Sequence, residues 1–381
     1  MSTPIPRFSM AFLRTGLTRL ARNAVTAFYR PSNGWSPPPV LAVLRLTDAC
    51  NLRCRMCFDR SADAVASTWS AGVAGPELDE PRWRALIDEL APCRCTFYLT
   101  GGEPLLASAT VPIIEAVKAR GGYVSLNTNG VLLKERAPAL VAAGVDKIIV
   151  SLDGPPAIHD AIRSPTWNAI AEGLAAVTEL KRQHGSATPR LRAQCVISPS
   201  NVGALVDTLK AAQELGLPEI RFQHLMFATS EDACRLDDFT KSIAVQARPS
   251  LLILPRGAID LPALKAQLAE LARRGKHGMT VRFEPPLRME DIEAYYEHAE
   301  RAFFNGCLSP WRRLVVSPRG EIGPCQGLYL GRYPEHSARD IWNGAAFRAF
   351  RRRLSEQGLF PFCARCCHRE YYGPRANLDV S

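Results

Sequence analysis

The sequence predicts an α/β protein built on a parallel sheet, and three observations carry that prediction. Between residues 40 and 225, six strand-like segments alternate with helix-like ones, the pattern of repeated βαβ units. Four of those strands lead directly into cysteine-, glycine-, asparagine- or aspartate-bearing turns, on the rim where parallel α/β folds place chemistry. Residues 306–370 break the alternation and gather cysteines into a second, smaller unit.

The elements follow in order. Residues 1–30 read as a basic amphipathic helix: Met10, Leu13, Leu17, Leu20, Ala24 and Phe28 form one stripe. Arg7, Arg14, Arg19, Arg22 and Arg30 lie opposite, and no acidic residue precedes Asp48. Such a helix either rests on an anionic membrane surface through residues 7–30 or docks its stripe on the protein. Residues 31–39, with Pro31, Gly34, Pro37, Pro38 and Pro39, form a breaker-rich linker. The core is expected over 40–225, with strands at 40–44, 96–99, 123–126, 147–152, 191–197 and 219–224. Helices are expected near 110–120, 134–143, 167–184 and 202–215. Residues 226–305 read as a connecting segment with a helix near 261–274. Leu314 to Ile322 reads as a hairpin, Arg339 to Asn343 leads into a basic helix, and 371–381 is a tail.

Composition sets bounds. A chain of 381 residues with 47% hydrophobic and 22% charged residues can bury a large core. No run is long enough to span a membrane, and arginines break the N-terminal apolar stretches that a signal peptide would need. Twelve cysteines in such a chain point to metal and a reducing, cytoplasmic compartment rather than to disulfides. The net charge of +10 comes with no base-stacking or groove-reading motif, so nucleic acid is not an expected partner.

Cys50-x3-Cys54-x2-Cys57 is the most specific feature. Three thiolates can ligate three irons of a cubane cluster, leaving the fourth iron open to an exogenous ligand, whereas electron-transfer clusters are normally fully ligated by protein. Zinc would need a fourth ligand. Phe58 follows, an aromatic placed to stack on a flat ligand.

Together with Leu99-Thr100-Gly101-Gly102-Glu103-Pro104 and Val150-Ser151-Leu152-Asp153-Gly154-Pro155, with His159, Asp160 and Arg163 downstream, this motif resembles the radical S-adenosylmethionine (SAM) superfamily. The branch it is most similar to carries a SPASM or twitch extension. The resemblance implies a partial (β/α)6 TIM-like barrel. It also implies an open iron chelated by SAM, whose reductive cleavage gives a 5′-deoxyadenosyl radical that takes a hydrogen atom from an unactivated carbon. Under that reading Gly101 and Gly102 let the backbone approach the ligand and Glu103 accepts from the SAM ammonium. Ser151 contacts the ribose or carboxylate, Arg163 pairs with a carboxylate of SAM or substrate or forms a surface salt bridge, and Val196 and Ile197 pack on adenine or are plain core.

Cys307, Cys325 and the Cys363-x2-Cys366 pair supply four thiolates, enough to close a cluster completely. This resembles the twitch module with one auxiliary [4Fe–4S] cluster, a four-cysteine zinc being the alternative. Cys367 competes with Cys366 for the last position. Cys93, Cys95, Cys195 and Cys234 read as small buried hydrophobes, Cys234 doubling as a candidate hydrogen-atom donor. The expected function is radical SAM chemistry on a small-molecule or lipid-linked substrate, fed by a reductant such as flavodoxin or ferredoxin. A peptide-modifying maturase is the alternative, and a non-catalytic iron–sulfur carrier is the rival from another class.

Overall fold

The computed structural model describes residues 33–59, 75–228, 246–247, 252–274, 278–298, 306–325, 327–360, 363, 365–366 and 371–372. The expected helix over residues 7–30, Cys234 and Cys367 lie outside them. All six expected strands form: β1 (Leu41–Arg45), β2 (Thr96–Thr100), β3 (Tyr123–Thr128), β4 (Lys147–Ser151), β5 (Arg190–Ile197) and β6 (Glu219–His224). They pair in parallel and in chain order.

That order settles what alternation leaves open. Right-handed crossovers between successive neighbours put every helix on one face, so the other face is covered only if the sheet curls on itself. A doubly wound sheet would reverse its order instead. Side chains divide accordingly. Ala42, Leu44, Phe97, Leu99, Val124, Leu126, Ile148, Val150, Ala193 and Phe222 enter one apolar core with the helices. The alternate residues, among them Tyr98, Asn127, Ser151, Arg192 and Arg221, line the concave side. Burial raises the Tyr98 pKa, and the charges of Arg192 and Arg221 oppose that rise. These sit three and four strands from Tyr98, about 14 and 19 Å away in a flat sheet. Electrostatic contact across that span is what curvature provides.

Helices α1 (Glu80–Leu90), α2 (Thr110–Ala119), α3 (Leu133–Ala142), α4 (Pro156–Arg163), α5 (Trp167–Gln183) and α6 (Leu205–Glu214) cover the convex side. The sequence reading passes over α1, although its signals are present. Asp79 caps it by accepting the Arg82 N–H at 3.0 Å, Pro81 sits in the first turn, and Trp83, Leu86, Ile87 and Leu90 form its buried stripe.

Two features extend the expected architecture. In the predicted connecting segment, α7 (Leu261–Arg274) forms as expected and is followed by β7 (Thr280–Glu284), which adds in parallel to β6. The alternation Val281, Phe283 against Thr280, Arg282, Glu284 is its signature. On the other edge, β8 (Arg313–Val316) runs parallel beside β1, and its hairpin partner β9 (Glu321–Gly323) continues to β10 (Gly331–Arg332). The C-terminal module is thereby built onto the barrel sheet, whose ten strands among the described residues run in the order β7-β6-β5-β4-β3-β2-β1-β8-β9-β10 in this numbering. Helices α8 (Ile292–Glu297), α9 (Ala338–Trp342) and α10 (Ala345–Gln357) complete it.

The described part of the predicted linker is a docked strap rather than a spacer. Ser36 exchanges two hydrogen bonds with Asn343 at 3.0 and 2.9 Å and donates to the Trp311 carbonyl at 2.8 Å. Trp342 Nε1 donates to the Pro37 carbonyl at 2.8 Å. Prolines lack donors but keep carbonyls, as Pro37 does for Trp342 of α9, and Arg351 of α10 donates to the Gly34 carbonyl at 3.1 Å. Among the described residues, no helix is long and apolar enough to cross a membrane.

Candidate active site

Residues 46–59 leave β1 as a loop that the ends of β2 and β4 hold in place. Gly102 N–H donates to the Thr47 carbonyl and Glu103 N–H to the Ala49 carbonyl, both at 2.8 Å. A Cβ on Gly101 would stand 2.5 Å from Thr47 O, and one on Gly102 2.2 Å from Ala49 O. The paired glycines thus admit the protein's own cysteine loop, where the sequence suggested close approach to a ligand.

Glu103, 1% exposed, ties this strand end to the next. It accepts from Thr128 Oγ1 at 2.7 Å, Asn129 N–H at 2.7 Å and Leu105 N–H at 3.0 Å. Burial raises its pKa, and these donors act against the rise. Asn129 then reaches Asn51 Oδ1 inside the cysteine loop at 2.8 Å. Glu103 therefore fixes the β2 and β3 rims against the loop.

Asp153 and Arg163 do the same from β4. Asp153 is fully buried, accepts Val196 N–H at 2.7 Å and forms an ion pair with Arg163 Nε. Arg163 also donates to Cys54 Sγ at 3.6 Å. Burial alone would lower the Arg163 pKa, but Asp153 and Cys54 outweigh it, so the guanidinium stays charged. The sequence reading aimed Arg163 at a ligand carboxylate. A fully buried Asp153 needs a counter-charge, and it takes that arginine. His159 Nδ1 accepts Asp153 N–H at 3.2 Å and Nε2 meets Thr166 Oγ1 at 3.1 Å, while burial lowers its pKa to about 4. Asn201 Nδ2 donates to the carbonyls of Asp153 and Val196, both at 2.8 Å.

Cys50, Cys54 and Cys57 sit on this loop outside any disulfide, Cys54 buried and the others half-buried. Burial raises the Cys54 pKa, Arg163 opposes it, and Asp153 and Cys50 add to it. The loop is braced from outside by Arg45 on Asp59 at 3.0 Å and by Arg319, from the β8–β9 turn, on Asp48 at 2.6 Å. Phe58 is half-buried and packs on the main core. Ser151 ends β4 on the concave face, opposite Gln194.

Ile197 is a correction. It is fully buried in the layer beneath the helices, in phase with Leu191, Ala193 and Cys195, so the period of two turns it away from the concave side that Val196 faces.

The C-terminal cysteines also converge. Burial pushes the Cys325 thiol well up, and Cys307, Cys363 and Cys366 add to that, so all four share one neighbourhood. Cys363 packs with Trp311, Leu328, Phe350, Leu354 and Phe360, and Cys325 lies against that cluster. A tetrahedral zinc site needs sulfurs about 3.8 Å apart. Among the described residues no three His, Cys, Asp or Glu groups are set so as to hold a single ion. Four thiols in one buried neighbourhood are a donor set that can close a cubane. Cys93, Cys95 and Cys195 are buried as expected of small hydrophobes.

Sequence reasoning missed Asn201, the bracing role of Asp153, and the charged concave face. The last was legible: Arg190, Arg192 and Gln194 alternate with Leu191, Ala193 and Cys195, and Glu219, Arg221 and Gln223 with Ile220 and Phe222. Parallel strands buried on both faces normally read as continuous apolar runs.

Comparison with known proteins agrees with this geometry. Residues 44–189 match the family model of the radical SAM superfamily, and residues 307–367 match that of an iron–sulfur cluster-binding domain, SPASM. The pre-heme d1 synthase of Dinoroseobacter shibae is 28% identical over 357 residues, covering 90% of this chain and 82% of that protein. The PqqA peptide cyclase of Xanthomonas campestris is 26% identical over 328 residues, covering 83% and 76%. The Streptococcus suis SuiB structure bound to precursor peptide SuiA superposes with a TM-score of 0.59 at 14% identity, covering 92% of this chain and 74% of that one.

Proposed function

Since the chain belongs to the radical SAM superfamily and is an enzyme that uses SAM and iron–sulfur clusters, we propose that it abstracts a hydrogen atom from an unactivated carbon of a substrate held in the barrel lumen. The observation that carries this reading is the three-thiol loop clamped between the β2 and β4 rims, with a buried arginine on one sulfur. Cys50, Cys54 and Cys57 would hold the SAM-binding cluster, and Cys307, Cys325, Cys363 and Cys366 an auxiliary one. When bound at the first site, the cluster supplies the electron that splits SAM into methionine and a 5′-deoxyadenosyl radical. The chain's own task is to hold that loop rigid: Gly102, Glu103 and Asn129 pin its middle, and Arg163 and Asp153 pin Cys54. Ser151 and Asn127 present polar atoms on the concave face beside it.

For the substrate, a small molecule is the first reading, supported by the likeness along nearly the whole chain to a pre-heme d1 synthase. Peptide modification is the second, supported by the PqqA peptide cyclase. An external donor of the flavodoxin or ferredoxin kind would supply electrons. The test is anaerobic reconstitution, chemical reduction and assay for 5′-deoxyadenosine. Product is expected. Intact clusters with no product would return the chain to the electron-carrier reading.

A further inference from the structure

Among the described residues, Arg192 and Arg221 put two cations side by side on the concave face, on the adjacent strands β5 and β6. Arg192 on β5 is 7% exposed, and its position alternates with core residues Leu191 and Ala193, so it points into the lumen. Its Nη2 donates to Gln194 Oε1 at 3.3 Å, and its nearest carboxylate, Glu219, is 3.8 Å from Nη1. Glu219 is already committed to Lys147 at 2.6 Å and has Arg282 at 4.0 Å. Arg221, on the adjacent strand, is paired with Glu284 at 2.7 Å. Glu219 thus lies closer to Lys147 than to Arg192, and among the described residues Arg192 Nε is buried with no hydrogen-bond partner. Burial first, and then the like charge of Arg221, lowers the Arg192 pKa.

A buried guanidinium whose nearest carboxylate is shared with another, closer cation is costly. An oxyanion is what such a fork binds best. Asn127 Oδ1, on the same face, is likewise buried and unpartnered, so the lumen is built for a polar occupant. Resting on the reading of the lumen as the substrate chamber, we propose that the substrate is anionic and is held by a carboxylate on Arg192, with Arg221 and Gln194 beside it. Ser151, Gln194 and Arg221 stand opposite one another across β4, β5 and β6. That row places the anchored group below the strand ends where the cysteine loop lies.

The test uses the reconstituted holoprotein and thermal unfolding with succinate, inorganic phosphate, chloride and neutral succinamide, the salts at equal ionic strength. Succinate at about ten times its dissociation constant should raise Tm by about 2 °C. Chloride and succinamide should do nothing comparable, and a larger response to phosphate than to succinate would replace the carboxylate with a phosphate. Arg192→Met should lose the succinate response while its ligand-free Tm stays level or rises, because an under-neutralised charge has gone. A native-like response in that variant, or a ligand-free Tm several degrees lower, overturns the proposal. Arg192→Lys keeps the charge and should keep part of the response if the methionine variant fails to fold; its complete loss there would also count against the proposal. None of these readouts depends on SAM cleavage, so the 5′-deoxyadenosine assay fails or succeeds independently.

Discussion

The two cysteine sites are held by opposite means. Around Cys50, Cys54 and Cys57 the partners are charged and polar: Arg45, Arg163 and Arg319 approach the loop, and Glu103, Asn129 and Asp153 fix the rims it rests on. Among the described residues, those packed around Cys325 and Cys363 are mainly apolar, Trp311, Leu328, Phe350, Leu354 and Phe360, with the charge of Arg313 also acting on Cys325. A site that must admit a charged ligand and change oxidation state at an open iron benefits from fixed dipoles and cations. A site whose four thiolates complete the coordination can be sealed in hydrocarbon. The surroundings differ in the sense expected if three thiolates serve the first site and four the second, as proposed.

The sharpest way to break the comparison is to remove one sulfur from each site. Cys54→Ser should abolish 5′-deoxyadenosine formation, a loss of at least about a thousandfold, because the proposed first cluster would lose one of its three protein ligands. Cys325→Ala should lower iron content by about half if the second site loses its cubane, and lower Tm, since metal binding there is folding energy. Equal iron and Tm effects from the two variants would erase the distinction.

Arg163→Met is the next largest. It strips the counter-charge from Asp153, which is fully buried, and a broken buried pair costs about 3–5 kcal/mol. Adding Asp153→Asn should recover part of that loss, and the two changes should be far from additive. Without the guanidinium on Cys54, the first cluster should also become harder to reduce, while the auxiliary cluster's potential stays put. A redox titration that moves both potentials equally would contradict the separation.

Much of this was readable from the chain. Strand positions 96–100 or 219–224 announce themselves by short β-rich runs between breakers, and the cysteine motifs by spacing. What was not readable depends on who fills which space. Gly101 and Gly102 are legible as a close approach, but only the fold shows that the approaching atoms are Thr47 O and Ala49 O. Arg163 reads as a partner for a ligand carboxylate until Asp153 is seen to be buried beside it. Ile197 ends a strand as expected, yet its facing follows from register. The parallel pairing of β8 with β1, joining residues more than 270 apart in sequence, leaves no local mark.

The smallest predicted effect separates the two regions by acid. His159 belongs to the first, touching Asp153, and burial holds its pKa at about 4. His224 ends β6, bonds Tyr296 at 2.8 Å and stacks near Tyr295, whose hydroxyl donates to the carbonyl of Arg365 within the Cys363–Cys366 turn. Burial lowers its pKa to about 3. Both folded values lie below the unfolded value near 6.5, so the unfolded chain binds the extra protons. Stability contributed by neutral histidine is therefore full above about pH 6.5 and is lost as the pH falls, down to about 4 for His159 and about 3 for His224. Between pH 7.5 and 5.5 each should cost about 1.3 kcal/mol. His159→Asn keeps an acceptor for Asp153 N–H but cannot take the proton, so it should halve the loss of urea stability over that interval. The same change at His224 should halve it independently, and the double variant should be nearly flat. If His159→Asn leaves the slope untouched, the first region's buried network is open to water and its rigidity must come from elsewhere.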